Sequence, residues 1–246
     1  MSACVNLAVI EFKLFFREWQ TMFWTFLFPP LMLLLFGEIY GNEPRQMLGG
    51  HGFVDQYVPG LLAIGIAGIS LFTIGVTLAT YRERQILRRL RVTPLRPSMI
   101  IGAHLVSGLT IVALNAILLG VIARLVYQIR IEGAFLTILG ALGLSTLSFF
   151  ALGFLLASLM PNARAANAAA MVLFMPMISL SGAIFPTQFL PGTFQKVAQA
   201  VPLTYVVNML RSAWLGQGLG QILDMVVLVV LGLIGGTMSA LFFRWE

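Results

Sequence analysis

Two lysines are the only residues of this sequence that could complete a phosphate-binding loop of the type found in many ATPases. That loop ends in a lysine followed by serine or threonine, because the ammonium contacts the phosphates and the hydroxyl binds magnesium. Lys13 is followed by Leu14 and Lys196 by Val197, so neither fits the motif. We therefore expect no ATP hydrolysis by this chain, and no cofactor bound to it.

Other catalytic chemistry has similarly weak support. An intramembrane hydrolase would need an activated serine, and four serines lie in or near apolar segments: Ser70, Ser145, Ser148 and Ser181. None of them sits in a Gly-x-Ser-x-Gly turn, and serines in membrane helices usually serve close packing. The two histidines are far apart in the sequence and Cys4 is the single cysteine, so a metal centre is not expected.

A more informative segment is the loop of residues 81–98, which holds six of the fifteen cations: Arg82, Arg84, Arg88, Arg89, Arg91 and Arg96. Within it Ile86, Leu87 and Leu90 share one helical face. Such a helix can dock its apolar face into a groove of a cytoplasmic partner while its arginines pair with carboxylates. The alternative is a loop that binds only anionic lipid headgroups.

The elements that would position this loop are membrane spans. The chain of 246 residues is 59% hydrophobic and only 10% charged, and runs of about 18 apolar residues can cross a bilayer as helices. The sequence predicts one all-α transmembrane domain over 1–246, with six spans at 23–40, 57–80, 99–123, 134–160, 166–185 and 222–243. Pro29 and Pro30 are expected to kink the first span, since proline removes backbone donors.

Two amphipathic segments accompany the spans. Residues 1–22 predict an interfacial helix, because an aromatic stripe opposes the charged side chains; the alternative is an extended start of the first span. The stripe includes Phe12, Phe15, Phe16 and Trp19. Residues 186–221 contain two helical pieces too short to cross a bilayer, which favours a re-entrant hairpin on the outer side or an interfacial pair.

The distribution of lysine and arginine predicts the orientation, because cationic loops are retained in the cytoplasm. One side of the six-span arrangement receives ten cations: Lys13, Arg17, the six of the 81–98 loop, Arg164 and Arg244. The other side receives five: Arg45, Arg124, Arg130, Lys196 and Arg211. Both termini are therefore expected in the cytoplasm, and the net charge of +6 reflects loops between spans rather than a nucleic-acid-binding domain.

Two stretches carry a family resemblance. Arg82-Glu-Arg, followed by Leu87-Arg-Arg-Leu-Arg-Val-Thr-Pro-Leu95, resembles the cytoplasmic loop of the type-2 ABC exporter permeases. Ser181-Gly-Ala-Ile-Phe-Pro186, Leu190-Pro191 and Val201-Pro-Leu-Thr-Tyr205 to Arg211 are similar to the closing motif of that family. The order and spacing of both agree with the family across nearly the whole chain.

The resemblance implies a dimer of permeases, identical or different, in the cell membrane, each copy bound to a cytoplasmic ATPase subunit that carries ATP and magnesium. It identifies residues 82–91 as the main coupling helix, from Arg82 and Arg84 through Ile86, Leu87, Arg88, Arg89 and Leu90 to Arg91. Asn162 and Arg164 fall in the second, smaller cytoplasmic contact. The implied outer hairpins include Gly182, Pro186, Pro191, Pro202, Tyr205 and Arg211.

The cargo expected first is a small amphiphilic drug or a lipid, because the outer loops are too short to form a large extracellular domain. Polysaccharide or lipid-linked glycan export is the second expectation. A non-transporting membrane scaffold or channel is the alternative from another class.

The charge distribution generates a topology prediction. Single cysteines placed at residues 1, 88 and 246 should be protected from a membrane-impermeant maleimide in intact cells, whereas cysteines at 51 and 195 should react. Permeabilised cells are the control, in which every position should label. Labelling of position 88 from outside would contradict the predicted orientation.

Overall fold

The computed structural model describes residues 12–44, 46–86, 97–185 and 191–242. Within these ranges the chain is built from helices and contains no strand. Six of the helices are long and apolar enough to cross a bilayer. The prediction of an all-α polytopic membrane protein is therefore confirmed.

The helices follow one another with short connections. Residues 12–17 form α1, and a single turn, Trp19–Met22, joins it to the first spanning helix, α2 (Phe23–Tyr40). The other spanning helices are α3 (Phe53–Glu83), α4 (Pro97–Tyr127), α5 (Phe135–Leu159), α6 (Ala163–Leu180) and α9 (Ile222–Phe242). Two shorter helices lie between α6 and α9, namely α7 (Gly192–Ala198) and α8 (Pro202–Trp214).

Helix ends depart from the predicted ends where capping, rather than hydropathy, stops the backbone. α3 begins at Phe53 instead of Tyr57 because the Gly52 N–H donates to Asp55 Oδ2 at 3.0 Å and closes the first turn. α6 ends at Leu180 instead of continuing to residue 185. Its C-cap is Ser181, and Gly182 then adopts a φ of 79°, the left-handed conformation that ends many helices.

The two prolines of α2 leave one carbonyl without a helical donor. An α-helix would satisfy the Thr25 carbonyl from residue 29 and a π-helix from residue 30, but both positions are proline. The chain forms a π turn over Phe23–Leu27 just before the prolines. Asn115 of α4 donates its side-chain amide to the Thr25 carbonyl, so a neighbouring helix replaces the missing donor.

α3 and α5 approach each other at backbone distance. The middle of α3, Ile69–Val76, is a π-helix, and the Ser70 hydroxyl within it donates to the Phe149 carbonyl of α5. Gly153 lies beside Ser70, and a methyl group on Gly153 would fall 2.2 Å from the Ser70 carbonyl oxygen. The missing side chain at Gly153 therefore permits this contact, as small residues commonly do between membrane helices.

α5 also packs closely against α9. Gly232 lies over Ser148, where an added Cβ would be 3.5 Å away, and Gly235 lies 3.1 Å from Ala151 by the same measure. The sequence pairs Gly232 with Gly236 in a GxxxG pattern, but nothing lies within 4 Å of a Cβ at Gly236. The contact thus forms within one chain and uses Gly235 as its second glycine.

These contacts predict a difference between two glycine substitutions. Gly153→Ala should destabilise the protein by about 1–3 kcal/mol, the usual cost of forcing atoms into a packed core. Gly236→Ala is the matched control, because the added methyl meets open space. Thermal unfolding of the detergent-solubilised protein, followed by size-exclusion chromatography, compares the variants, and equal midpoints would contradict the close α3–α5 contact.

Candidate functional site

The predicted site residues lie at the two ends of the helix bundle. One end, here called the arginine end, contains residues 82–86 at the close of α3 and the turn of residues 160–164 between α5 and α6. The other, the hairpin end, contains α7, α8 and the segment 181–185 that follows α6. Leu87, Arg88, Arg89, Leu90, Arg91 and Pro186 lie outside the described residues.

At the arginine end, the backbone turns sharply as α3 stops. Arg84 is the C-cap of this helix, and Gln85 adopts a φ of 54°, a left-handed conformation that non-glycine residues rarely take. Arg84 is exposed, whereas Arg82 and Ile86 are half-buried. The loop of cations therefore leaves the bundle from a defined turn.

The start of α6 lies beside this turn. Asn162 is the N-cap of α6, and its Oδ1 accepts a hydrogen bond from the Ala165 N–H at 2.8 Å, as asparagine commonly does at helix starts. The Ala163 N–H donates to Glu83 Oε2, also at 2.8 Å. Asn162 and Arg164 are exposed. The two predicted cytoplasmic contact segments are therefore neighbours.

Arg82 points back into the bundle. Its Nη1 donates to the Ser158 carbonyl in the last turn of α5 at 3.2 Å. The next residue, Glu83, contacts α6. Two consecutive side chains at the end of α3 thus contact the helices on both sides of the 160–164 turn.

The predicted aromatic stripe of the N-terminal segment divides between protein and surroundings. Phe15 is buried, and the Phe15 and Phe16 rings lie 5.9 and 5.7 Å from the ring of Phe26 in α2. Phe12 packs partly against the core. Trp19 remains 66% exposed. The helix is thus attached to the bundle through Phe15, while Trp19 faces outward, the position an interfacial aromatic side chain would occupy.

At the hairpin end, the segment after α6 lies on α3. A Cβ on Gly60 would fall 2.0 Å from the Ala183 carbonyl oxygen, so only glycine permits this approach. Arg211 of α8 reaches the same segment, and its Nη2 donates to the Gly182 carbonyl at 3.0 Å. The Arg211 Nε has no hydrogen-bond partner among the described residues.

Arg211 is also enclosed. Phe53, Gln56, Tyr57 and Ile184 surround the guanidinium and leave no room for a water molecule. Burial lowers the pKa of Arg211 to about 10, because the charged form loses hydration. The group still carries its charge at neutral pH, close to the C-terminal end of α6, where a cation is stabilised by the helix dipole.

α7 and α8 form a hairpin that packs on the bundle. Pro191 is the N-cap of α7, and Pro202 occupies the first turn of α8, where a missing N–H costs nothing. The Tyr205 hydroxyl donates to the Gln199 carbonyl at 2.6 Å. α8 contacts α3, α5, α6 and α9, and its buried face includes Leu203. This hairpin is therefore part of the helix bundle.

Sequence reasoning missed several polar residues that join the helices. Asn42 substitutes for the absent N-cap side chain of Gly52, since its Oδ1 accepts the Asp55 N–H at 3.2 Å. The buried Asp224 of α9 accepts a hydrogen bond from Asn208 of α8 at 3.5 Å. Their signal was a polar side chain in an apolar context, which predicts a partner but does not identify it. No group of three potential ligands for a metal ion exists among the described residues.

The fold and the two ends define a multi-pass membrane subunit with contact segments at one end and a helical hairpin at the other. Residues 3–215 match the family described as ABC-2 type transporter, and the chain belongs to this family. Its members are transmembrane permease components of ABC transporters and not the ATPase subunits.

Individual relatives agree with the family. The chain is 28% identical over 231 residues to a putative transport permease, ycf38, of Cyanophora paradoxa, which covers 84% of this chain and 77% of that protein. It is 29% identical over 193 residues to nodulation protein J of Rhizobium meliloti, covering 76% and 72%. It is 25% identical to the probable multidrug ABC transporter permease YbhS of Escherichia coli, covering 76% of this chain and 49% of that protein.

The left-handed turn at Gly182 yields a prediction. Gly182→Ala should lower stability by about 1–2 kcal/mol, because alanine in this backbone conformation brings its Cβ against the following carbonyl. Gly192→Ala is the control, since an added Cβ there meets nothing within 4 Å. Thermal unfolding in detergent measures both, and an unchanged midpoint for Gly182→Ala would mean that this turn is not maintained in the protein.

Proposed function

We propose that this chain is the transmembrane subunit of an exporter that moves small amphiphilic drugs or lipid-like molecules out of the cytoplasm or inner leaflet. A separate cytoplasmic ATPase subunit binds ATP and magnesium and supplies the energy. Two copies of the chain form a homodimer in the cell inner membrane, surrounded by lipid, with both termini in the cytoplasm.

The observation that carries the proposal is the junction at the arginine end. The exit of the arginine-rich loop and the turn with Asn162 and Arg164 lie side by side, joined by the Glu83–Ala163 hydrogen bond. A cytoplasmic ATPase that contacts the loop through Arg84 and the segment 86–91 would then meet Arg164 as well. A contact at two adjacent points transmits movement better than a single flexible loop.

The packed interior supports a transport path between two copies rather than through one. Phe149 and Phe150 are fully buried in the centre of the bundle, and the space around Arg211 at the hairpin end is closed. The described part of a single chain therefore offers no passage for a drug-sized molecule. A path at a dimer interface removes this difficulty.

The choice of cargo follows from the apolar surroundings of the chain. The spanning helices expose large apolar side chains such as Ile117, Val172 and Leu233, which a molecule dissolved in the bilayer can approach. YbhS, one of the relatives, carries the description multidrug permease. Export of a polysaccharide or lipid-linked glycan is the second candidate, and a scaffold or channel without transport is the third.

The coupling segment supplies the decisive test. Leu87→Asp combined with Leu90→Asp would place charges in the proposed groove of the ATPase, where an unpaired buried charge costs several kcal/mol. We expect the doubly substituted chain to insert into the membrane but to lose binding of the ATPase and ATP-driven uptake of an amphiphilic dye by inverted vesicles. Co-purification with the ATPase and dye fluorescence measure these two losses.

Arg88→Ala with Arg89→Ala is the matched control. These changes should be milder, because ion pairs at a solvated rim are worth about 0–1 kcal/mol. Undiminished ATPase binding and uptake by the Asp double variant would remove the segment from the mechanism and favour the lipid-headgroup alternative. If the unmodified complex hydrolyses ATP but takes up no dye or fluorescent phospholipid, the amphiphile proposal is wrong and the glycan alternative gains support.

A further inference from the structure

The last two residues of α3 have opposite charges and contact two different helices. The Arg82 guanidinium donates to the Ser158 carbonyl at 3.2 Å, and the Glu83 carboxylate accepts the Ala163 N–H at 2.8 Å. Ser158 is in the last turn of α5, and Ala163 is the first residue of α6. The two side chains therefore bracket the turn between those helices.

The sign of each charge matches the helix end that it contacts. The last carbonyls of a helix and its first N–H groups lack intrahelical partners, and they carry partial negative and positive charge respectively. Arg82 places a cation on the carbonyl end of α5, and Glu83 places an anion on the amide end of α6. Reversing either charge would turn an attraction into a repulsion.

The clamp also divides the labour among the charged residues of this end. Arg84 and Arg164 are exposed, and no hydrogen bond of their side chains is among those formed within the described chain, so both are oriented for an external partner. Arg82 is half-buried and occupied by Ser158. The resemblance to known permeases groups Arg82 with the ATPase contacts, but its geometry favours an internal role.

We propose that Arg82 and Glu83 are positioning residues, which join the root of the arginine loop and the 160–164 turn into one rigid unit. The proposal rests on the function proposed above. A displacement imposed by the ATPase then reaches α3 and α6 together and moves the hairpin end, where the segment after α6 meets α3 and α8. Without the clamp, the two contact segments shift separately and the displacement is absorbed at the arginine end.

The test measures whether ATP changes the hairpin end. A cysteine replaces Ile184, which lies beside Arg211, in a chain whose Cys4 is replaced by serine. The permease and its ATPase are reconstituted in vesicles, and the labelling rate of position 184 with an impermeant maleimide is measured with and without ATP. ATP hydrolysis and co-purification of the two subunits are measured on the same samples.

Four further variants are compared in this chain: Glu83→Ala, Glu83→Gln, Arg82→Gln and the control Glu43→Gln. Glu43→Gln removes the same charge at an exposed position outside the clamp. We expect ATP to change the labelling rate about fivefold in the parent and in the control, a typical coupling between distant sites. Glu83→Ala and Arg82→Gln should abolish most of this change while hydrolysis and co-purification persist. Glu83→Gln, which keeps an acceptor oxygen, should retain an intermediate response.

The outcomes separate the two proposals. If ATP leaves the labelling of the parent unchanged, the proposed function is wrong. If the parent responds and Glu83→Ala responds equally, the clamp is wrong. Loss of subunit assembly in both Glu83 variants would assign the pair to folding alone and would also overturn the clamp.

Discussion

Backbone groups that a helix leaves unpaired must be satisfied inside the protein, because lipid offers no hydrogen bonds. In this chain, side chains and loops from neighbouring elements meet that requirement at each interruption. Asn115 serves the Thr25 carbonyl beside the prolines of α2, and Arg211 serves the Gly182 carbonyl after α6. At the arginine end Arg82 and Glu83 serve the last turn of α5 and the start of α6. The polar residues of the bundle thus lie where the helices break.

The same requirement connects the two ends of the molecule. α3 contacts the α5–α6 turn at one end and carries the segment after α6 at the other, through Gly60 and Ala183. Between them it approaches α5 at Gly153, where only a glycine fits. α3 is consequently a rigid connection between the arginine end and the hairpin end, and any mechanism for this chain must move it or bend it. Its π segment, Ile69–Val76, is the place where its regular hydrogen bonding changes.

Hydropathy was sufficient to predict six spanning helices and the all-α class, because each span requires a long apolar run whatever its neighbours are. Contacts between the spans were not predictable in this way, since they depend on how each helix is rotated. The glycine spacing in α9 indicated Gly236, but the rotation places Gly235 against Ala151. Likewise, Arg82 looked like its neighbours in the arginine loop, and only the position of Ser158 shows that it faces inward. The sequence carried no signal for the pairing of Asn115 with Thr25.

The doubled proline of α2 has a consequence for the order in which the protein is made. The donor for the Thr25 carbonyl is Asn115, which lies 90 residues later in the chain. When α2 leaves the ribosome, that donor has not yet been synthesised, so the carbonyl must stay in contact with water or with the insertion machinery. α2 can settle fully into lipid only after α4 has arrived beside it. Biogenesis of this chain therefore requires its first three spans to enter the bilayer as a group.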